Sequence, residues 1–256
     1  MWAIVKCFIE GCELLDMFFL VSEKYKFVIG WSAKCGCSSL KRWYLKLHDV
    51  DAPNNMTHQV VGYGDTAYSN VDWRRKGYLA DFKKYAIVRN PYSRLVSGFT
   101  NKYVNERMPA NGWNSFREFV EVLHKDRYFR KVDKHHFTPQ FSEAYESFSK
   151  KGMVFDKVID VGDMQQGLSE ISTELSIPRV VVPHVNRTSY REAGEINMIS
   201  ISEMTIKELQ AIEHMPSYEH FYNQHALNSV REIYGKDFSE LRRYGIEYPT
   251  PELLDS

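Results

Sequence analysis

Apolar positions along the chain come in short runs that alternate with amphipathic stretches. Residues 25–30 (Tyr-Lys-Phe-Val-Ile-Gly) are β-rich and predict a strand. A loop from Trp31 to Cys37 follows, and then Leu40, Trp43 and Tyr44 fall at helical spacing with Ser38 placed to cap the helix. The pattern repeats downstream. Residues 85–88 predict a second strand, Asn90 suits an N-cap, and Pro91 suits the first helical position. The helix at 92–103 turns Leu95, Val96 and Phe99 inward. A helix at 115–123, a third strand at 154–161, a helix at 164–175 stopped by Pro178, and a fourth strand at 180–182 come next. Helices at 205–215 and 217–234 complete the series. Strands alternating with helices predict an α/β fold: a single domain with a mainly parallel central sheet flanked by helices. The expected boundaries are an N-terminal helix at 1–24, the main domain at 25–245 and a tail at 246–256.

The N-terminal stretch is apolar from Trp2 to Val21 but carries Lys6, Glu10, Glu13 and Asp16. Three carboxylates argue against a membrane span, and the basic start of a signal peptide is missing. A helix lying on the domain, or touching a membrane surface, fits this pattern. With 33 basic and 33 acidic residues the formal charge is zero, so a general nucleic-acid binder is not expected. The four cysteines, at 7, 12, 35 and 37, cannot staple a chain of 256 residues, and their spacing is not that of a zinc site. Residues 49–80 are rich in Asn, Asp, Gly and Tyr and predict a long functional loop.

Charge is unevenly placed. Residues 24–46 hold Lys24, Lys26, Lys34, Lys41, Arg42 and Lys46 and no acid, whereas residues 192–220 hold six Glu against Lys207. A basic strand–loop–helix unit predicts a bounded anion site. The loop between strand and helix aims backbone N–H groups at the helix start, where the dipole favours negative charge. Gly36 permits close backbone approach, Ser38 and Ser39 add hydroxyls, and Lys34 adds a mobile cation. The spacing is not that of a Walker loop, because the lysine precedes the turn. In the second unit Arg89 leaves a strand end and Ser97 lies two turns into the next helix. An arginine fork and a hydroxyl there suit a second phosphate.

Two segments carry a resemblance. Ala33-Lys34-Cys35-Gly36-Cys37-Ser38-Ser39-Leu40-Lys41-Arg42 and Val88-Arg89-Asn90-Pro91-Tyr92-Ser93-Arg94-Leu95-Val96-Ser97 resemble the sulfotransferases, nearest to the Golgi carbohydrate type that includes the chondroitin and dermatan enzymes. Fainter similarity continues through His135-His136-Phe137-Thr138-Pro139-Gln140, 155–163, His184-Val185-Asn186 and 234–244, so it spans roughly residues 25–245. The resemblance implies a P-loop-NTPase-like sulfotransferase fold. It also implies transfer of a sulfuryl group from 3′-phosphoadenosine-5′-phosphosulfate (PAPS) to a hydroxyl acceptor, carbohydrate in that family, without a metal. Lys34, Cys35, Gly36, Cys37, Ser38 and Ser39 would hold the 5′-phosphosulfate, with Lys34 also neutralising charge during transfer. Arg89 and Ser97 would hold the 3′-phosphate.

The general base is left open between His58, in the long loop, and His136, with Asp65 as a carboxylate alternative; His135 heads the same segment as His136. Arg94 is expected to pair structurally, Lys102 to reach the cofactor or solvent, and Trp31 and Trp43 to pack in the core. The Golgi enzymes carry a membrane anchor and paired cysteines after the His-x-x-Pro-Gln segment. Neither occurs in this sequence, which predicts a cytoplasmic or otherwise soluble location and weakens the carbohydrate expectation. Two rivals remain in view. A P-loop nucleotide kinase would need a Walker lysine and a magnesium carboxylate. A non-catalytic nucleotide- or glycan-binding module would bind without turnover.

Overall fold

A computed structural model of the chain describes residues 17–50, 77, 79–126, 128–141, 143–150, 154–182 and 201–253. In chain order the elements are β1 (Phe18–Ser22), β2 (Phe27–Trp31), α1 (Cys37–Leu47), β3 (Lys83–Val88) and α2 (Pro91–Phe99). A π-helical turn (Thr100–Asn105), α3 (Phe116–Lys125), α4 (Lys134–Phe137), α5 (Glu143–Lys150) and β4 (Lys157–Asp160) follow. The last elements are α6 (Met164–Glu174), α7 (Ile206–Leu209), α8 (Gln224–Ile233) and α9 (Gly235–Arg243). The fold is mixed α/β, as the alternation predicts.

The chain divides into two compact units. The first comprises the segments up to Arg89 and from Gln140 to Val185. Its described strands form one sheet in the order β1-β2-β3-β4, with β1–β2 antiparallel and β2–β3 and β3–β4 parallel. The parallel register pairs Trp31 with Ile87 and Val88 with Asp160, so β2, β3 and β4 end side by side. In open α/β sheets, loops leaving the carboxyl ends of parallel strands are where ligands bind. Phe27, Ile29, Trp31, Leu40, Trp43, Tyr44, Tyr85, Ile87, Leu168 and Ile171 make the core of this unit.

The second unit, Asn90–Pro139 and Asn186–Ser256, is helical in its described residues. Its core is strongly aromatic: Phe99, Tyr103, Trp113, Phe116, Phe119 and Phe137 touch one another at ring-centroid distances of 4.9–6.1 Å. Most of these pairs meet edge-on or tilted, the arrangement the ring quadrupole favours.

Several expectations are corrected. Residues 18–22, expected within an N-terminal helix, are strand β1; residues 1–16 lie outside the described residues. All five residues of β1 are buried, so the run has no alternation to tell strand from helix. The tight turn to β2, closed by the Tyr25 amide donating to Ser22 Oγ at 3.2 Å, settles it. Residues 180–182 form no strand. Val181 is 76% exposed, and the Val182 amide donates to Gln165 Oε1 at 2.8 Å instead of to a neighbouring strand. The helix expected at 205–215 is only α7, started by a reciprocal cap between Thr205 and Glu208. The helix expected at 217–234 is a 3-10 turn (Tyr218–Phe221) and α8. It is interrupted because the Asn223 side chain accepts from the Ala226 amide and starts a new helix.

Candidate active site

The link between β2 and α1 is Ser32-Ala33-Lys34-Cys35-Gly36. Lys34 and Gly36 both sit at positive φ, 69° and 70°, and the Cys35 amide donates to the Ser32 carbonyl at 3.2 Å. These left-handed positions fold the loop back on the strand end. Gly36 is the N-cap of α1, in place of the expected Ser38, which lies in the first turn. A Cβ at Gly36 would come within 2.5 Å of Met164 Cε and 2.9 Å of Val161 Cγ2, so conformation and space both require glycine. α1 has no side-chain cap and no acid in its first turn. Its first amides have no intrahelical acceptor, which is the condition for holding an anion.

β3 delivers Arg89 beside this loop. The guanidinium Nη1 donates to the Lys34 carbonyl at 3.1 Å. Two expected anion residues, 55 positions apart, are thus hydrogen-bonded within the first unit. A residue absent from the candidate set holds them there. Gln140 is fully buried; its Oε1 accepts from the Arg89 amide at 2.9 Å and from the Cys35 thiol at 3.1 Å. Its Nε2 donates to the Arg89 carbonyl at 2.9 Å. The signal that could have found it is its place at the end of the His-x-x-Pro-Gln segment. Ser32, 1% exposed, was also missed: its Oγ has no hydrogen-bond partner among the described residues. A buried hydroxyl without a partner is costly, and a phosphate oxygen at the loop would relieve it. These observations make the loop a fit for a phosphorylated nucleotide. Cys35 is buried, its thiol committed to Gln140, and Cys37 is a free thiol in the first turn of α1.

Lys41, in α1, is also buried, its Nζ 4.5 Å from the centre of the Trp31 ring. Burial pushes its pKa down to about 8, with a small opposing contribution from Cys37. Trp31 and Trp43 are core residues, as expected.

In the second unit, α2 begins as predicted: Asn90 accepts from the Tyr92 amide at 3.0 Å, with Pro91 at the first position. Leu95, Val96 and Phe99 are buried. Ser97 is 8% exposed on this helix. Arg94 is 1% exposed and donates to the Thr138 carbonyl at 2.8 Å, which is a structural role. The π-helical turn after α2 carries Lys102, whose Nζ lies 2.9 Å from Glu106 and 3.7 Å from Asp133. His136 Nδ1 is 2.9 Å from Asp133 Oδ2, and the His135 ring packs edge-on against His136 at 4.9 Å. A carboxylate only accepts, so neutral His136 carries its proton on Nδ1 and its basic lone pair on Nε2. Burial would raise the Asp133 pKa; the His136 hydrogen bond and the charges of His136, Lys102 and His135 outweigh that and hold it below its usual value. His58 and Asp65 lie outside the described residues. Also among the described residues, no helix is long and apolar enough to cross a membrane, and no cluster of metal-binding side chains occurs.

Carbohydrate sulfotransferase 14 of Mus musculus is 33% identical over 91 residues, covering 33% of this chain and 23% of that relative, so the chain matches about a quarter of its length. No solved structure matches significantly. The sulfotransferase family model matches residues 17–242, which takes in the lysine loop, Arg89, Gln140 and both units; the chain belongs to the sulfotransferase family.

Proposed function

We propose that this chain is a PAPS-dependent sulfotransferase acting on a hydroxyl acceptor, with carbohydrate as the substrate class. The observation that carries the proposal is the Arg89 guanidinium donating to the Lys34 carbonyl, which sets a second cation against the helix-start anion loop. Bound there, PAPS supplies a sulfuryl group whose sulfur–oxygen bond to the 5′-phosphate breaks as the bond to the acceptor oxygen forms. The amides of residues 36–39 and the hydroxyls of Ser38 and Ser39 bind the 5′-phosphate, while the Cys35 amide holds the loop closed on the Ser32 carbonyl. Lys34 neutralises the charge that grows on the leaving phosphate oxygen. Arg89 binds the 3′-phosphate; Ser97 is assigned with it by the motif alone. His136, oriented by Asp133, takes the acceptor proton at Nε2. No residue in this scheme requires a metal. The carbohydrate acceptor is supported by the similarity to carbohydrate sulfotransferase 14 of Mus musculus.

The test is a panel of acceptors incubated with sulfur-labelled PAPS. Transfer to a sugar hydroxyl without added metal is expected; nucleotide binding with no transfer to any acceptor would overturn the enzyme assignment. On an accepted substrate, His136→Ala should lose roughly 10²–10⁴-fold in turnover and the acidic limb of its pH–rate profile. If His58→Ala or Asp65→Ala loses that limb instead, the proton goes there.

A further inference from the structure

Gln140 does more than fill space. Its side-chain amide is fully buried, and both its oxygen and its nitrogen bond to the lysine loop or to Arg89. Toward Arg89 it behaves as a peptide group of a neighbouring strand would, accepting from the N–H and donating to the C=O of one residue. The same Oε1 also accepts from Cys35, two residues before the start of α1. With the Arg89 guanidinium on the Lys34 carbonyl, a closed ring runs from Gln140 through Arg89 and Lys34 to Cys35 and back.

We propose that Gln140 is a positioning residue that sets the spacing between the helix-start loop and the Arg89 guanidinium, and thereby selects a nucleotide phosphorylated at both ends of its ribose. The inference rests on the donor assignment above and adds how the two anion subsites are kept in register. An amide is the side chain that suits the position. A carboxylate there would face the Arg89 carbonyl at 2.9 Å with no proton to offer, and an apolar side chain would leave the Arg89 N–H and C=O without this partner.

The experiment measures binding of adenosine 3′,5′-bisphosphate and adenosine 5′-monophosphate by calorimetry to the full chain and to Gln140→Met, Gln140→Glu and Arg89→Ala. The parent should prefer the bisphosphate. Gln140→Met should lose roughly ten- to a hundredfold of that preference, the range spanned by a charged hydrogen bond, while turnover at saturating PAPS changes less than its Michaelis constant. Gln140→Glu still accepts from Arg89 N–H and Cys35, so it should keep more of the preference while its charge weakens both nucleotides. In the Arg89→Ala background Gln140→Met should alter the preference no further, because Gln140 acts through Arg89. Variants that melt earlier but retain the full preference would overturn the positioning role and leave the donor assignment standing. Failure of both Gln140 variants to fold would likewise assign the residue to the core. A parent chain with no preference for the bisphosphate would overturn the donor assignment and this inference together.

Discussion

Arg89 and Arg94 stand five residues apart on either side of a helix start, and the molecule uses them oppositely. Arg89 closes the first unit, is partly exposed, and its guanidinium reaches the lysine loop. Arg94 is sealed inside the second unit with its guanidinium on the Thr138 carbonyl. The difference extends to the units around them. In the first, buried polar bonds converge on the strand ends and on the lysine loop beside them. In the second, they tie helices to one another: Tyr234 Oη donates to the Phe137 carbonyl at 2.5 Å and Tyr222 Oη to the Tyr92 carbonyl at 2.9 Å. A charged side chain in a sequence motif therefore announces neither binding nor structure. What decides is whether its partners are loop groups beside a helix start or carbonyls inside a packed core.

The sharpest way to separate the units is to damage each at its centre. Phe119→Ala removes a ring that meets Phe99, Tyr103, Trp113 and Phe137, and should cost about 3–5 kcal/mol in chemical denaturation. Lys34→Ala should leave stability near the parent value and lower single-turnover transfer by roughly 10²–10³-fold, with a smaller loss in affinity for the product nucleotide. A normal rate with only a raised Michaelis constant would make Lys34 a binding residue.

Lys41 lies between these extremes, a buried cation in α1 over the Trp31 ring. Its pKa in the folded chain is about 8, against an ordinary 10.5, so between those pH values the unfolded chain binds more protons and stability rises with pH. Relative to Lys41→Met, the parent should gain about 3 kcal/mol across that window, at about 1.4 kcal/mol per pH unit. Parallel pH curves for the two proteins would show that Lys41 stays charged in the folded chain. The smallest expected effects belong to the arginine pair itself. Arg89→Ala should weaken binding of adenosine 3′,5′-bisphosphate by roughly 1.5–3 kcal/mol, spare the 5′-monophosphate, and leave melting unchanged. Arg94→Met should destabilise by a similar amount and leave both affinities alone. An exchange of those two phenotypes would break the contrast between the units.

The sequence by itself determined what short-range chemistry controls. The strand–loop–helix unit at 27–47 is written in its β-rich run, its lysine loop and Gly36, and the start of α2 is written in Asn90-Pro91, whose cap bond spans two residues. The structural role of Arg94 also followed from its place at a helix start. Where an apolar run was buried on both faces, as in β1, or where the Asn223 cap lay inside a longer apolar pattern, the same local rules misled. Only the tertiary structure decided that Arg89 meets the Lys34 carbonyl, 55 residues away, and that Gln140 meets Cys35, 105 residues away. The parallel pairing of β2 with β3 aligns the two strand ends, and no periodicity in either segment encodes which strand will lie beside it. For Gln140 the sequence offers only its place at the end of the His-x-x-Pro-Gln segment; its role was not legible there, because the groups that satisfy it, Arg89 and Cys35, arrive from other parts of the chain.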